Sequence, residues 1–300
     1  MCGHCGCGDE TAATVLNLQT GNETAIKRNE REHDHPNAHG HFHDHSHDHD
    51  HGHQHVHTEG SPRRRSHAHD PGAAAPAGEI LTLEARILAK NDAVAEKNRA
   101  WFKGREILAL NLMSAPGAGK TTLLERTIRD LKDELRLYVV EGDQATANDG
   151  ERIRAAGAPA VQVNTGSGCH LDADMVARGL RELKPAPGST VMIENVGNLV
   201  CPALFDLGER AKVVILSVTE GDDKPLKYPH MFKAAAMMVM SKMDLLPYVD
   251  FDAERALANA LQVNPSIASL RLSARTGEGL GAWYGWLRQE LAEVRALAFS

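Results

Sequence analysis

From residue 107 onward the chain alternates between short, continuous apolar runs and longer stretches with helical periodicity. The runs fall at 107–113, 137–140, 160–163, 190–193, 213–218, 236–240 and 270–272. Each is short and apolar at successive positions, the pattern of a strand buried on both faces. Residues 123–131, 149–156, 171–183, 252–261 and 280–297 repeat their apolar positions with helical spacing and lie between or beyond those runs. Strands alternating with helices predict an α/β fold, a mainly parallel sheet with helices on both faces. Ahead of it, Leu83, Ile87, Leu88, Ala95 and Trp101 can share one broad face, which predicts a leading helix over 83–101. Residues 1–80 are different in kind: rich in Gly, His, Asp and Ala, with few large apolar side chains. Such a segment cannot bury enough surface to offset its conformational entropy, so disorder is expected there. Residues 70–78, punctuated by Pro and Gly, read as a linker, and order is expected to begin near Ile80.

Chemistry enters at the end of the first run. Ser114-Ala115-Pro116-Gly117-Ala118-Gly119-Lys120-Thr121-Thr122 joins it to an amphipathic stretch. Strand, loop and helix in that order are the context a phosphate-binding loop requires. Backbone N–H groups of the loop would face phosphates, Lys120 would reach the β- and γ-phosphates, and the Thr121 hydroxyl would hold Mg²⁺. Ser114 stands where the usual pattern has its first glycine.

Four further segments fall in the order a GTPase needs. Glu141-Gly142-Asp143 ends the second run, with Asp149 a few residues on; Asp143 and Asp149 are candidates for a switch facing Mg²⁺ or the attacking water. Glu194-Asn195-Val196-Gly197 ends the fourth run, where Glu194 can hold the Mg²⁺ hydration shell and the Gly197 N–H can sense a γ-phosphate. Ser241-Lys242-Met243-Asp244 ends the sixth and resembles the guanine-specificity element Asn-Lys-x-Asp, with Ser241 in place of Asn. Asp244 would accept hydrogen bonds from the N1–H and exocyclic amine of guanine. Adenine has no such donor pair and would leave the carboxylate unpaired. Ser273-Ala274-Arg275 resembles the backup base-binding loop. Any one segment could be a polar strand end or a helix cap; their collinear order carries the reading.

The formal charge of −7 argues against nucleic acid as a partner, because a phosphate backbone wants a basic surface. No stretch approaches the roughly 20 apolar residues of a membrane span, and residues 1–10 lack the apolar core of a secretory signal. A cytoplasmic protein is expected. There the five cysteines stay reduced, and clustered thiols read as metal ligands. Cys2, Cys5 and Cys7, with His4 or the α-amine, can encircle one soft or borderline cation. Cys169, His170 and Cys201 form a second candidate site near the nucleotide edge, with three ligands and an open position. Most of the seventeen histidines lie between His33 and His69, alternating strictly from His39 to His57 with many aspartates between them. Neutral imidazoles suit Ni²⁺, Zn²⁺ and Cu²⁺, so the tract reads as a weak metal buffer.

The N-terminal Cys-x-x-Cys-Gly-Cys, the histidine-rich insert, the Ser114–Thr122 loop with Leu123-Leu124 after it, Asn164-Thr165-Gly166 leading to Cys169-His170-Leu171, and Glu194-Asn195-Val196-Gly197-Asn198-Leu199-Val200-Cys201-Pro202 together resemble the HypB family. The resemblance covers essentially the whole chain. It implies a SIMIBI-type P-loop G domain over 80–300, a Cys metal motif over 1–8 and a disordered His-rich region and linker over 9–79. It also implies slow GTP hydrolysis with GTP and Mg²⁺, a GTP-dependent homodimer, and Ni²⁺ and Zn²⁺ as metals. The implied partners are a zinc-containing HypA-type protein and the [NiFe]-hydrogenase large-subunit precursor, to which nickel is delivered. Two other functions fit the same residues: nickel storage without essential GTPase activity, and a related GTPase serving urease or another metalloenzyme.

Overall fold

The computed structural model describes residues 13–26, 77–143, 148–166 and 168–297. Its centre is a nine-stranded sheet in the order β2-β1-β5-β4-β6-β3-β7-β8-β9. The strands are β1 (Thr14–Asn17), β2 (Glu23–Ala25), β3 (Leu108–Ser114), β4 (Leu137–Asp143), β5 (Ala160–Asn164), β6 (Thr190–Glu194), β7 (Ala211–Ser217), β8 (Met237–Ser241) and β9 (Ala268–Arg271). From β5 to β9 every pairing is parallel. The two central strands β3 and β6 are buried at every position, as a parallel strand covered on both faces must be.

The helices are α1 (Ala77–Lys103), α2 (Lys120–Leu131), α3 (Asn148–Ala156), α4 (Ala173–Leu183), α5 (Cys201–Leu204), α6 (Lys224–Lys227), α7 (Pro229–Ala234), α8 (Ala253–Val263) and α9 (Leu280–Leu297). Alternate strand residues divide between two faces. Val213 and Ile215 pack with Leu123 and Ile128 of α2, Ile153 of α3 and Trp283 and Leu287 of α9. Val214 and Leu216 of the same strand pack with Phe232 of α7 and Ala256 of α8. On that second face, Val140, Val163 and Ile193 meet Phe102 of α1 and Val176 and Leu180 of α4. Among the described residues, no helix is long and apolar enough to cross a membrane.

The α/β architecture matches the expectation, and seven of the strands lie where the apolar runs predict them. Two corrections follow from the remainder. Residues 13–26 lie in the stretch expected to be disordered, yet β1 pairs antiparallel with β5, Thr14 opposite Asn164 and Asn17 opposite Val161, and β2 pairs with β1. The reason is local to the sheet: β5 would otherwise present an open edge, and a short hairpin anchored by buried Val15 and Ile26 closes it. Such a hairpin needs only one or two apolar anchors, too few to register as a period. The second correction is at the start of the helix expected over 171–183: α4 begins at Ala173, capped by the Asp172 side chain accepting from the Met175 N–H at 2.8 Å.

Candidate functional site

Parallel sheets place their loops for ligands beyond the carboxyl ends of the strands. At that edge a cavity of about 530 Å³ is lined by residues 116–122, 141–143 and 194–197, by Asp149 and Arg152, and by Lys242. The turn from β3 into α2 needs left-handed backbone at Gly117 (φ 72°) and Gly119 (φ 98°), which glycine adopts without a Cβ penalty. Lys120 opens α2 and is buried; its Nζ donates to Ser114 Oγ at 2.8 Å. Burial lowers its pKa while the carboxylates of Glu194, Asp149 and Glu141 oppose that shift. Ser114, at the position of the usual leading glycine, thus holds the ammonium at the mouth of the loop.

Thr121 Oγ1 donates to Glu194 Oε1 at 2.7 Å, joining the start of α2 to the end of β6. Glu194 is buried, its Oε2 has no partner among the described residues, and its pKa is pushed up to about 7 by burial, with Lys120 and the Thr121 bond resisting. Glu141 on β4 is also buried with an unpartnered Oε2, and burial plus the charges of Glu194, Asp143 and Asp149 raises it to about 9. Buried carboxylate oxygens lacking donors beside a threonine hydroxyl are the ligand chemistry of a hard divalent cation. The residues present therefore fit Mg²⁺. Asp149 accepts from Arg152 at 2.9 Å, and Arg152 also reaches Glu125 Oε2 at 2.8 Å and Thr122 Oγ1 at 3.4 Å. Gly197 lies so close to the phosphate-binding loop that a Cβ on it would come within 3.0 Å of the Pro116 Cα.

The loop after β8 is tied to the same turn. Ser241 Oγ donates to the Ala118 carbonyl at 2.7 Å, and Lys242 Nζ to the Gly117 carbonyl at 2.7 Å. Asp244 Oδ1 accepts from Ser273 Oγ at 2.6 Å. Arg126 of α2 donates to the Ala274 carbonyl at 3.3 Å.

A second constellation is carried by the turn after β5 and the start of α5. The ligand atoms of Cys169, His170 and Cys201 all lie within 4.8 Å of one another. Cys169 Sγ is 2.9 Å from Cys201 Sγ and 3.7 Å from His170 Nδ1. His170 stacks on Phe205 with ring centroids 3.8 Å apart, and burial lowers its pKa, favouring the neutral imidazole that metals need. Two thiols and an imidazole at this spacing suit a borderline cation such as Ni²⁺ or Zn²⁺.

Three comparisons bear on this edge. A protein-family model described as CobW/HypB/UreG, nucleotide-binding domain, matches residues 108–271. A hydrogenase maturation factor HypB from Rhizobium leguminosarum bv. viciae is 58% identical over 224 residues, 75% of this chain and 74% of that protein. The chain belongs to the HypB family. Crystal structures agree: HypB from Archaeoglobus fulgidus is 41% identical with a TM-score of 0.64, covering 68% of this chain and all 100% of that one. HypB from Helicobacter pylori, in complex with nickel, is 37% identical with a TM-score of 0.64, covering 68% and 96%.

In this HypB family member the candidate residues fall into four groups. Pro116 to Thr122, Asp143, Asp149, Glu194, Gly197 and Lys242 line one cavity, while Ala115, Asp244, Ser273 and Ala274 lie outside its lining. Cys169, His170 and Cys201 form their own cluster. Cys2, Cys5, Cys7 and the tract from His33 to His69 lie outside the described residues. Five further residues line the cavity beside the candidates: Glu141, Gly142, Arg152, Asn195 and Val196. Glu141 carried a legible signal, an acidic residue at the end of an otherwise apolar run. Arg152 is one charge among many on a helix, with no signal before folding.

Proposed function

We propose that this chain is a GTP-hydrolysing nickel metallochaperone that delivers nickel during maturation of [NiFe]-hydrogenase. The observation that carries the reading is the adjacency of the two sites: the segment from Glu194 to Gly197 lines the phosphate cavity and runs on directly to Cys201 of the thiol–imidazole cluster. A protein that moves metal on a nucleotide cycle needs that adjacency; a passive store does not. Membership in a family whose relatives are called hydrogenase maturation factors, one of them crystallised with nickel, supports the target and the cargo.

The chemistry follows from the residues. Loop amides and the Lys120 ammonium stabilise negative charge on the β- and γ-phosphates, and Thr121 and Glu194 hold the cation and its water shell. When bound, Mg²⁺ neutralises phosphate charge during hydrolysis of GTP by water to GDP and phosphate. Asp143 and Asp149 serve the switch, and Asp244 selects guanine, with the Ser273-Ala274 loop behind it. No general base is assigned, since phosphoryl transfer rests on positioning and charge stabilisation. Cys169, His170 and Cys201 take Ni²⁺ or Zn²⁺ in transit. Cys2, Cys5 and Cys7 form a separate tight site, and the His-rich tract buffers nickel. The protein acts in the cytoplasm as a GTP-dependent homodimer, with a HypA-type partner and the hydrogenase large-subunit precursor.

The test has two arms. Purified protein should hydrolyse GTP slowly, and Lys120→Ala should abolish turnover. Cells lacking the protein should lose hydrogenase activity and regain part of it with added nickel. Turnover indifferent to Lys120→Ala, or hydrogenase activity unaffected by the deletion, overturns the reading.

A further inference from the structure

The Asn195 side chain occupies a position that none of the chemistry above uses. It is 1% exposed, at the end of β6 between Glu194 and Val196. Its Oδ1 accepts two backbone N–H groups, from Leu171 at 3.1 Å and from Val196 at 3.0 Å. Leu171 directly follows His170 of the metal cluster; Val196 directly precedes Gly197, which abuts the phosphate-binding loop. One oxygen atom therefore pins the metal-bearing turn to the nucleotide-facing loop. Its Nδ2 donates to Asn111 Oδ1 at 3.2 Å, and Asn111 donates to Glu209 Oε1 at 3.1 Å. This second arm anchors Asn195 to β3 and fixes which way its amide faces.

Leu171 has a second contact with the nucleotide edge. It is fully buried over Gly142 of β4, where an added Cβ would come within 2.7 Å of the Leu171 Cγ. The residue after the metal ligand is thus held between the segment carrying Glu141 and Asp143 and the segment carrying Glu194 and Gly197. A shift of either strand end with nucleotide state has to move Leu171 or break the Asn195 bridge, because the close packing leaves no slack. Neither Cys169 nor His170 forms a bridge of this kind to the phosphate cavity by a hydrogen bond among those seen in the described residues.

We infer that Asn195 is the positioning residue that couples nucleotide state to metal affinity at Cys169, His170 and Cys201, through its shared acceptor for the Leu171 and Val196 N–H groups. The inference rests on the proposed function, which supplies the two ligands being coupled. Linkage makes the effect readable from either side: if nucleotide state alters nickel affinity, nickel alters nucleotide affinity by the same factor.

The experiment uses the full chain and fluorescent analogues of GDP and of non-hydrolysable GTP, titrated with and without Ni²⁺. Cys201→Ala defines the nickel effect contributed by every other site. Nickel should change the ratio of the two nucleotide affinities about fivefold or more in the unmodified protein, and Asn195→Ala should bring that change to within about twofold of the Cys201→Ala background. Asn195→Asp keeps an acceptor at the same place and should retain the nickel response. Asn111→Ala cuts the second arm while leaving the Leu171 bridge, and should also retain it. An unchanged nickel response in Asn195→Ala, its loss in Asn195→Asp, or an equal loss in Asn111→Ala would overturn the inference. A nickel effect already identical in the unmodified protein and Cys201→Ala would instead remove the metal role of the trio, and the inference with it.

Discussion

Asp244 is the carboxylate proposed to select guanine. Its Oδ1 accepts from the Ser273 hydroxyl at 2.6 Å, a contact that would hold the group in place for a base. A carboxylate accepts from two donors on guanine, whereas an amide presents one donor and one acceptor. Asp244→Asn should weaken GTP and improve xanthosine triphosphate, whose ring carries the complementary carbonyl, by on the order of 100-fold in relative affinity. Competition binding with GTP, ATP and xanthosine triphosphate checks this; equal ATP and GTP affinity in the unmodified protein sinks the assignment. Ser241, the departure from the usual Asn, is explained by its contact: its hydroxyl braces the Ala118 carbonyl and so ties this loop to the phosphate-binding turn. Glu141 and Glu194 supply a second prediction at this scale. Both bind a proton more readily folded than unfolded, since burial raises them from an ordinary 4.5 to about 9 and about 7. Their effect on stability is therefore neutral at low pH and grows more unfavourable as pH rises from about 4.5 towards 7 for Glu194 and 9 for Glu141. Without nucleotide or cation, melting temperature should fall between pH 6 and pH 9, and Glu141→Gln should flatten that fall. Mg²⁺ with a GTP analogue should stabilise more at the upper end of the range, where a cation no longer competes with a proton. A flat melting profile for the unmodified protein would refute both halves. The polar chemistry of these positions was only partly legible: residue type and strand end pointed to Glu194 and Asp244, but burial of Glu141 and the partners of Arg152 and Asn195 exist only once distant segments meet.

Strands read well where burial on both faces forces a continuous apolar run, as in β3, β6 and β8. They read poorly where the strand is an edge. β1 has one buried residue in four and β2 has none, so neither leaves a pattern, although ladder bonds hold both in place. The short helices α5, α6 and α7 were equally silent, because four to six residues do not complete two turns of a period. The hairpin has a consequence that can be measured. Leu18, just past β1, would meet a Cβ on Gly150 of α3 at 2.6 Å, so the hairpin packs on the helix that also carries Asp149 and Arg152. Burial of Val15 and Ile26 should contribute roughly 1.5–3 kcal/mol each as an upper estimate. Starting the chain at residue 28 should therefore lower the melting temperature by on the order of 5–10 °C and raise aggregation from the exposed β5 edge. Starting it at residue 13 should leave the melting temperature nearly unchanged. If both truncations melt alike, the hairpin contributes nothing to the domain.

At the scale of the whole molecule, sequence order sufficed to predict a mainly parallel sheet with helices on both faces, because parallel α/β units leave few ways to connect. What it could not supply is the relation between the metal trio and any second copy of the chain. The trio is half-buried, and two large exposed apolar side chains, Val200 at 46% and Leu204 at 47%, flank its Cys201 on either side in sequence. Three ligands per chain leave a coordination position open, and a two-fold contact lets two copies meet around shared metal. The same loop begins at Glu194 and Gly197 on the cavity wall, so under the proposed function its conformation should follow the presence of a γ-phosphate. GTP with Mg²⁺ should therefore favour a dimer that GDP does not, and Leu204→Asp should weaken that dimer by placing a charge in the contact while leaving the phosphate cavity intact. Analytical ultracentrifugation with GDP and with a non-hydrolysable GTP analogue reads both effects. A monomer in either nucleotide, or a dimer indifferent to Leu204→Asp, would mean that the apolar pair beside Cys201 serves some other contact and that the trio binds metal within a single chain.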